Sequence, residues 1–236
     1  DSAQFGDGHL MGVSRAQPCL IQQMTSASRR GGMLPEELIP NVFFLLVAGC
    51  STTASLVANS LLVLLHPDNE RQLRYVQGNP AARLGPCIDE LLRFCPPVKK
   101  LVRQVRAGSK DFFFRDCLMR AGQTVNFVTA TANMDPVVFG ETAEKFDVRR
   151  RSGSSGGMMK TTKMRKHLGF GVGDHTCPGQ LLGRLEAKVA LEMVLFGGKF
   201  PGLELAQAPD EMKRRSVGPM SMIVTLPVKR NPKKCD

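Results

Sequence analysis

Phe170-Gly171-Val172-Gly173-Asp174-His175-Thr176-Cys177-Pro178-Gly179 is the stretch on which the reading of this chain turns. Its glycines permit a tight backbone turn, and Cys177 falls just before a stretch of helical periodicity whose first residue would be Pro178, a position proline favours. Unpaired amides at a helix N-terminus stabilise negative charge, so the spacing places Cys177 to be a thiolate and a metal ligand. Two plainer readings compete. Gly169-x-Gly171-x-Gly173 is a poor dinucleotide loop, because the third glycine comes one residue early and a basic stretch, not a strand, precedes it. An inert core thiol leaves the clustering of glycines, His175 and Phe170 around Cys177 unexplained.

Outward from this loop, the composition is that of a globular protein. The 236 residues are about one and a half average domains. Apolar residues make up 42% and charged residues 22%, with 23 Gly and 15 Pro, which excludes collagen-like and disordered chains. The 32 Lys and Arg against 21 Asp and Glu leave +11. That excess predicts an acidic partner, whether nucleic acid, anionic lipid, charged cofactor or acidic protein. With no Trp and only Tyr75, base stacking of the single-strand-binding kind would rest on Phe. The seven cysteines are an odd number without a C-x-x-C pair, which points to a reducing compartment rather than a disulfide framework or structural zinc. The chain begins Asp1-Ser2-Ala3-Gln4, with neither Met nor the pattern of a secretory signal, and so reads as a fragment or processed product.

Val42 to Leu65 contains no charge in 24 positions, but six of them are polar: Ser51, Thr52, Thr53, Ser55, Asn59 and Ser60. We read a long buried helix here rather than a membrane span. Pro35-Glu36-Glu37 starts it and His66-Pro67 ends it. Further helices are expected over Asp68–Gln77, Pro86–Phe94 and Gln180–Phe196. Extended runs are expected over Leu101–Val105, Phe112–Leu118, Thr124–Thr129 and Ser221–Val228. Arg149 to His167 holds seven Lys or Arg, no acid and a Ser-Gly run; residues 152–166 read as a flexible basic insertion. The fold class is mainly α with small β-sheets.

The central loop resembles that of the cytochrome P-450 family, F-x-x-G-x-[HR]-x-C-x-G, at Phe170, Gly173, His175, Cys177 and Gly179. Other family landmarks follow in order. Ala48-Gly49-Cys50-Ser51-Thr52-Thr53 is similar to the oxygen-binding groove, Glu90-Leu91-Leu92-Arg93 to the E-x-x-R helix, Ala132-Asn133-Met134-Asp135-Pro136 to the stretch after it, and Leu182-Gly183-Arg184-Leu185-Glu186 to the helix after the cysteine. The resemblance covers residues 35 to 228 and implies a single haem domain of which residues 1–236 are the C-terminal portion, lacking the N-terminal half. It implies a soluble, bacterial-type, cytoplasmic enzyme.

The resemblance also assigns roles. Cys177 would ligate the iron of haem b, and its thiolate would favour O–O cleavage. Phe170 would shield the sulfur, Gly171 would turn the loop, and Gly179 would let the backbone approach the porphyrin. His175 and Arg106 would donate to the propionates, with Arg103 an alternative to Arg106. Glu90 and Arg93, three apart on one helix face, would form a structural ion pair, joined by Arg149 or Lys145. Ala48 and Gly49 would line the oxygen groove, and the Thr52 hydroxyl would help deliver protons. The family usually carries Asp or Glu before this threonine; Ser51 stands there, which implies slower proton relay unless water substitutes. Hydroxyls at 51–53 bonded back to helix carbonyls are the plainer reading.

The implied function is monooxygenation of a small or medium apolar organic substrate, with electrons from a ferredoxin or flavin reductase; an acidic ferredoxin would suit a basic face. The alternatives are a remnant that binds haem weakly or not at all and has no turnover, and a basic nucleic-acid-binding module using 149–167. A red-shifted Soret band of the reduced carbon monoxide complex separates the first two from the third, and product formation separates the first from the second. Neither nucleic-acid binding nor a membrane span is expected.

Overall fold

The computed structural model describes residues 18–150 and 167–232; the basic insertion 152–166 lies outside them. The architecture is mainly helical, with small antiparallel sheets. Helix α1 spans Leu20–Arg29 and α2 spans Pro35–Leu64. The chain divides into two units, Asp1–Ala48 and Gly49–Asp236, with the boundary inside α2.

Helix α2 starts where Pro35 and the two following acids predict. Glu37 reaches back to accept the Leu34 N–H at 3.0 Å, satisfying an amide that the helix cannot. Burial along the whole helix is not found. Its buried residues run from Ser55 to Leu64, whereas Ile39, Phe43, Phe44 and Leu46 are exposed. Only the C-terminal half, through Leu56 and Leu64, joins the core cluster, so apolarity records what a helix can bury rather than what lies against it. By length and composition α2 could cross a membrane, its mean hydropathy reaching 1.7; core helices of soluble proteins pass the same test.

The core of the second unit is built on α4, Pro80–Phe94, which packs against α3, Glu70–Gln77, and α7, Gln180–Leu191. Leu84, Cys87, Ile88, Leu91 and Leu92 are all buried on α4, the i, i+3, i+4 spacing of one helical face. Val76, Ala187, Leu191, Phe146 and Val148 close over them. Helix α4 begins six residues before the expected Pro86. Asn79 caps it by accepting the Ala82 N–H at 3.2 Å and Pro80 is its first residue, so the helix is nucleated upstream and Pro86 is carried inside it.

Strands β1 (Leu101–Gln104) and β4 (Thr124–Phe127) pair antiparallel, with Leu101 opposite Phe127. The expected single run 112–118 is instead a hairpin of β2 (Phe112–Phe114) and β3 (Cys117–Met119), turning at Arg115 with φ 51°. The positive φ falls on an arginine rather than on Gly, Asn or Asp, so the turn carries little of the usual sequence signal. Short helices α5 (Thr129–Ala132) and α6 (Pro136–Phe139) flank Asp135, whose carboxylate accepts the Val137 N–H at 2.8 Å. After α7 a single π turn occupies Glu192–Phe196. The expected terminal strand 221–228 divides between β7 (Met220–Ile223), paired with β6 (Arg214–Val217), and β8 (Val228–Arg230), paired with β5 (Leu203–Leu205). Pro227 sits at the break, where it cannot donate to a ladder.

Candidate functional site

The loop 170–179 is held by its own backbone. Gly171 and Gly173 have φ of 72° and 73°, a region that strains side chains. A Cβ at Gly171 would also stand 3.3 Å from the His175 carbonyl. Gly173–His175 form a short 3-10 turn closed by the Thr176 N–H and Oγ1, which both donate to the Gly173 carbonyl. The Cys177 N–H then donates to the Phe170 carbonyl at 2.8 Å, joining the two ends of the loop. Helix α7 starts at Gln180, where the helical periodicity places it, with Gly179 as its cap; Pro178 stands before it and is not its first residue. Pro178 and Gly179 form a turn closed by the Gln180 N–H on the Cys177 carbonyl at 3.3 Å.

Cys177 is half-buried and free, at the entrance to α7. A Cβ added at Gly179 would meet only Cys177 Sγ within 4 Å, at 3.8 Å. Gly179 is exposed and leaves the space beside the sulfur free of a side chain, and a single thiol there is a donor set that fits the iron of a haem b.

The loop brings Phe170, Gly171, His175, Cys177 and Gly179 together. Arg106 is exposed in the turn after β1, where its carbonyl accepts from Ser109. His175 is exposed as well, and among the described residues no ion pair joins it to Arg106. Arg103 is exposed in β1 and donates from Nη1 to the Val102 carbonyl. On α2, Ala48 and Thr52 are four apart and so share a face with Gly49 beside them. Thr53 is the residue turned toward α7, since a Cβ at Gly183 would stand 3.8 Å from its Oγ1 and 3.9 Å from Phe170 Cε1. Ser51 Oγ faces Met220 Sδ at 4.0 Å, and its carbonyl accepts from Ser55 Oγ at 2.7 Å.

Behind the loop, Glu90 and Arg93 form a two-pronged ion pair, with Nε to Oε2 and Nη2 to Oε1 both 2.8 Å. Both side chains are buried. Arg93 also donates to the carbonyls of Asn133, Ala143 and Lys145. The third base is Arg150, whose Nε reaches Glu90 Oε1 at 3.0 Å; the expected Arg149 and Lys145 are both displaced from that role. Arg149 lies over the Tyr75 ring at 4.5 Å, and Lys145 offers only its carbonyl, to Arg93 and Arg150. Within the arginine run 149–151, spacing along the chain carries no signal that distinguishes the inward residue.

A second polar cluster escaped the sequence reading. Asp89 Oδ1 accepts from Arg184 Nε at 2.9 Å and stands 3.4 Å from His167 Nε2. Burial opposes ionisation of Asp89, but hydrogen bonds from His167 and Arg184, with the Arg184 charge, outweigh it and hold the carboxyl below its ordinary value. The only trace of this cluster in the sequence was the placement of three polar residues on segments already marked by other motifs.

A half-buried free thiol at a glycine-turned loop, backed by a helix with a buried carboxylate–guanidinium pair, is an arrangement able to offer one thiolate to a metal. The family model for cytochrome P450 matches residues 84–223, more than half of the chain, and the chain belongs to that family, whose members hold haem b. It is 38% identical over 177 residues to the 20-oxo-5-O-mycaminosyltylactone 23-monooxygenase of Streptomyces fradiae, covering 75% of this chain and 37% of that protein. Cytochrome P450 107B1 of Saccharopolyspora erythraea is 34% identical over 223 residues, covering 93% and 50%. Among solved structures, CalO2 superposes with a TM-score of 0.76 at 26% identity, covering 89% of this chain and 48% of that one. The tirandamycin C-bound P450 monooxygenase TamI gives 0.75 at 30%, covering 92% and 50%. The chain thus spans about half the length, or less, of the relatives it matches.

Proposed function

We propose that this chain carries the thiolate-bearing part of a cytoplasmic haem monooxygenase that acts on an apolar organic substrate. One oxygen atom of dioxygen enters the substrate and the other leaves as water, with electrons from an external ferredoxin or flavin reductase. The observation that carries this reading is the loop geometry, in which the Cys177 N–H closes on the Phe170 carbonyl and leaves Sγ beside the exposed Gly179.

Haem b, when bound, supplies dioxygen activation and oxygen transfer. Cys177 Sγ holds its iron, Phe170 shields the sulfur from water, and His175 with Arg106 or Arg103 neutralises the propionates. Glu90, Arg93 and Arg150 keep the segment 133–150 against α4. Ala48 and Gly49 leave space on α2, and Thr52 Oγ1 holds a proton for delivery. Substrate class and electron donor follow the family; the acyl carrier protein in the solved P450BioI complex shows that such enzymes also engage protein partners.

Ser51, in place of a carboxylate, favours a second reading in which haem is held but turnover is absent. Reconstitution with haem b followed by the reduced carbon monoxide spectrum tests the first step. We expect a strongly red-shifted thiolate Soret band that Cys177→Ser abolishes; its absence in the unaltered chain overturns the proposal. Product formation with a supplied reductant separates turnover from binding alone.

A further inference from the structure

We infer that Asp89, His167 and Arg184 form a brace that clamps the Phe170 ring and so positions the Cys177 loop against α4 and α7. The inference rests on the reading of Cys177 as the ligand, and adds to it three positioning residues.

Two polar side chains lie beside the Phe170 ring. The Arg184 guanidinium lies 4.5 Å from the ring centroid, and the His167 ring is centred 6.2 Å away at a 48° tilt. Both groups are tied to one oxygen, Asp89 Oδ1. His167 Nδ1 accepts the Gly169 N–H at 3.1 Å, which assigns the ring proton to Nε2, pointing at Asp89. Gly169 is tightly fitted, because a Cβ would stand 3.0 Å from both His167 Nδ1 and the Leu92 carbonyl. Asn133 Oδ1 accepts the Leu168 N–H at 2.8 Å, fixing the segment from its other side. Arg184 also reaches the carbonyl of Gln180 at 3.4 Å, the residue whose N–H closes on Cys177.

Adjacent carboxylates on α4 therefore serve different segments. Successive helical residues point about 100° apart. Glu90 gathers the segment 133–150, and Asp89 gathers the thiol loop and the first turns of α7. Phe170 is the link, since its ring is held by the brace and its carbonyl holds the Cys177 amide.

Hydrogen exchange at the Cys177 amide of the haem-free full chain tests the brace without reference to haem. Asp89→Ala should speed that exchange by at least about tenfold, as expected when charge-assisted hydrogen bonds to one carboxylate are lost, while the amides of Leu91 and Leu92 keep their protection. Asp89→Asn, which retains Oδ1 as an acceptor, should restore most of it. Unchanged exchange at Cys177, or an equal loss at Leu91 and Leu92, overturns the proposal. In the reconstituted protein, Asp89→Ala should move part of the reduced carbon monoxide absorbance from the thiolate band to the thiol band. An unaltered chain with no thiolate band refutes the function proposed above, and leaves the amide result to judge the brace.

Discussion

Pro178 follows Cys177 directly and has no N–H, so one backbone donor that could draw charge from the sulfur is missing. A more electron-rich thiolate makes the iron it binds harder to reduce. Pro178→Leu restores that donor and should raise the reduction potential of the reconstituted haem in a redox titration; an equal or lower value contradicts the argument. On α2, Ser51 faces Met220 and, in the function proposed above, stands where a carboxylate would relay protons. A hydroxyl relays protons less readily than a carboxylate, so Ser51→Asp should raise the fraction of electrons that reaches product, measured as product formed per reductant consumed. Unchanged coupling would place the proton path elsewhere.

At the scale of elements, α4 does most of the positioning. Its apolar stripe sets the core, while the buried Glu90 and Arg93, at its C-terminal end, meet the partly buried Arg150. Glu90 keeps Arg93 when Arg150 is removed, so what is lost is one charge-assisted hydrogen bond to Glu90 and the bonds to the carbonyls of Phe139, Thr142 and Lys145. Arg150→Gln should cost about 2–3 kcal/mol in denaturant unfolding. Arg149→Gln, which removes only a cation over the Tyr75 ring, should cost about 1 kcal/mol. Equal losses would mean that Arg150 is not the inward base. The start of α4 and the hairpin at 112–119 show where local reading stops short. Asn79-Pro80 is a competent helix start that the stronger Pro86 signal masked, and Arg115 takes a positive φ that nothing in its residue type announces.

The whole molecule has an alkaline limit set in its core. Cys87 is fully buried; burial foremost, then the nearby Glu90 and Cys95, pushes its thiol from 9.0 up to about 12. Unfolded chains release that proton near 9.0 while the folded protein retains it to about 12. Across that window the folded state binds more protons, so stability falls as pH rises. Cys87→Ala should lower stability through its cavity but flatten this decline, as seen in denaturant midpoints across the window; parallel slopes would show that other groups set the limit.

The sequence by itself determined the thiol loop, the long α2 helix, the Glu90–Arg93 pair and hence the family, because each depends on spacing within a few residues along one turn or helix. Tertiary structure alone decided that Arg150 rather than Arg149 or Lys145 meets Glu90, that Asp89 joins Arg184 from 95 positions away, and that only half of α2 is buried. Those outcomes depend on which segments pack together, and a side chain's partner across 60 or 95 residues is set by the core that brings their backbones within reach.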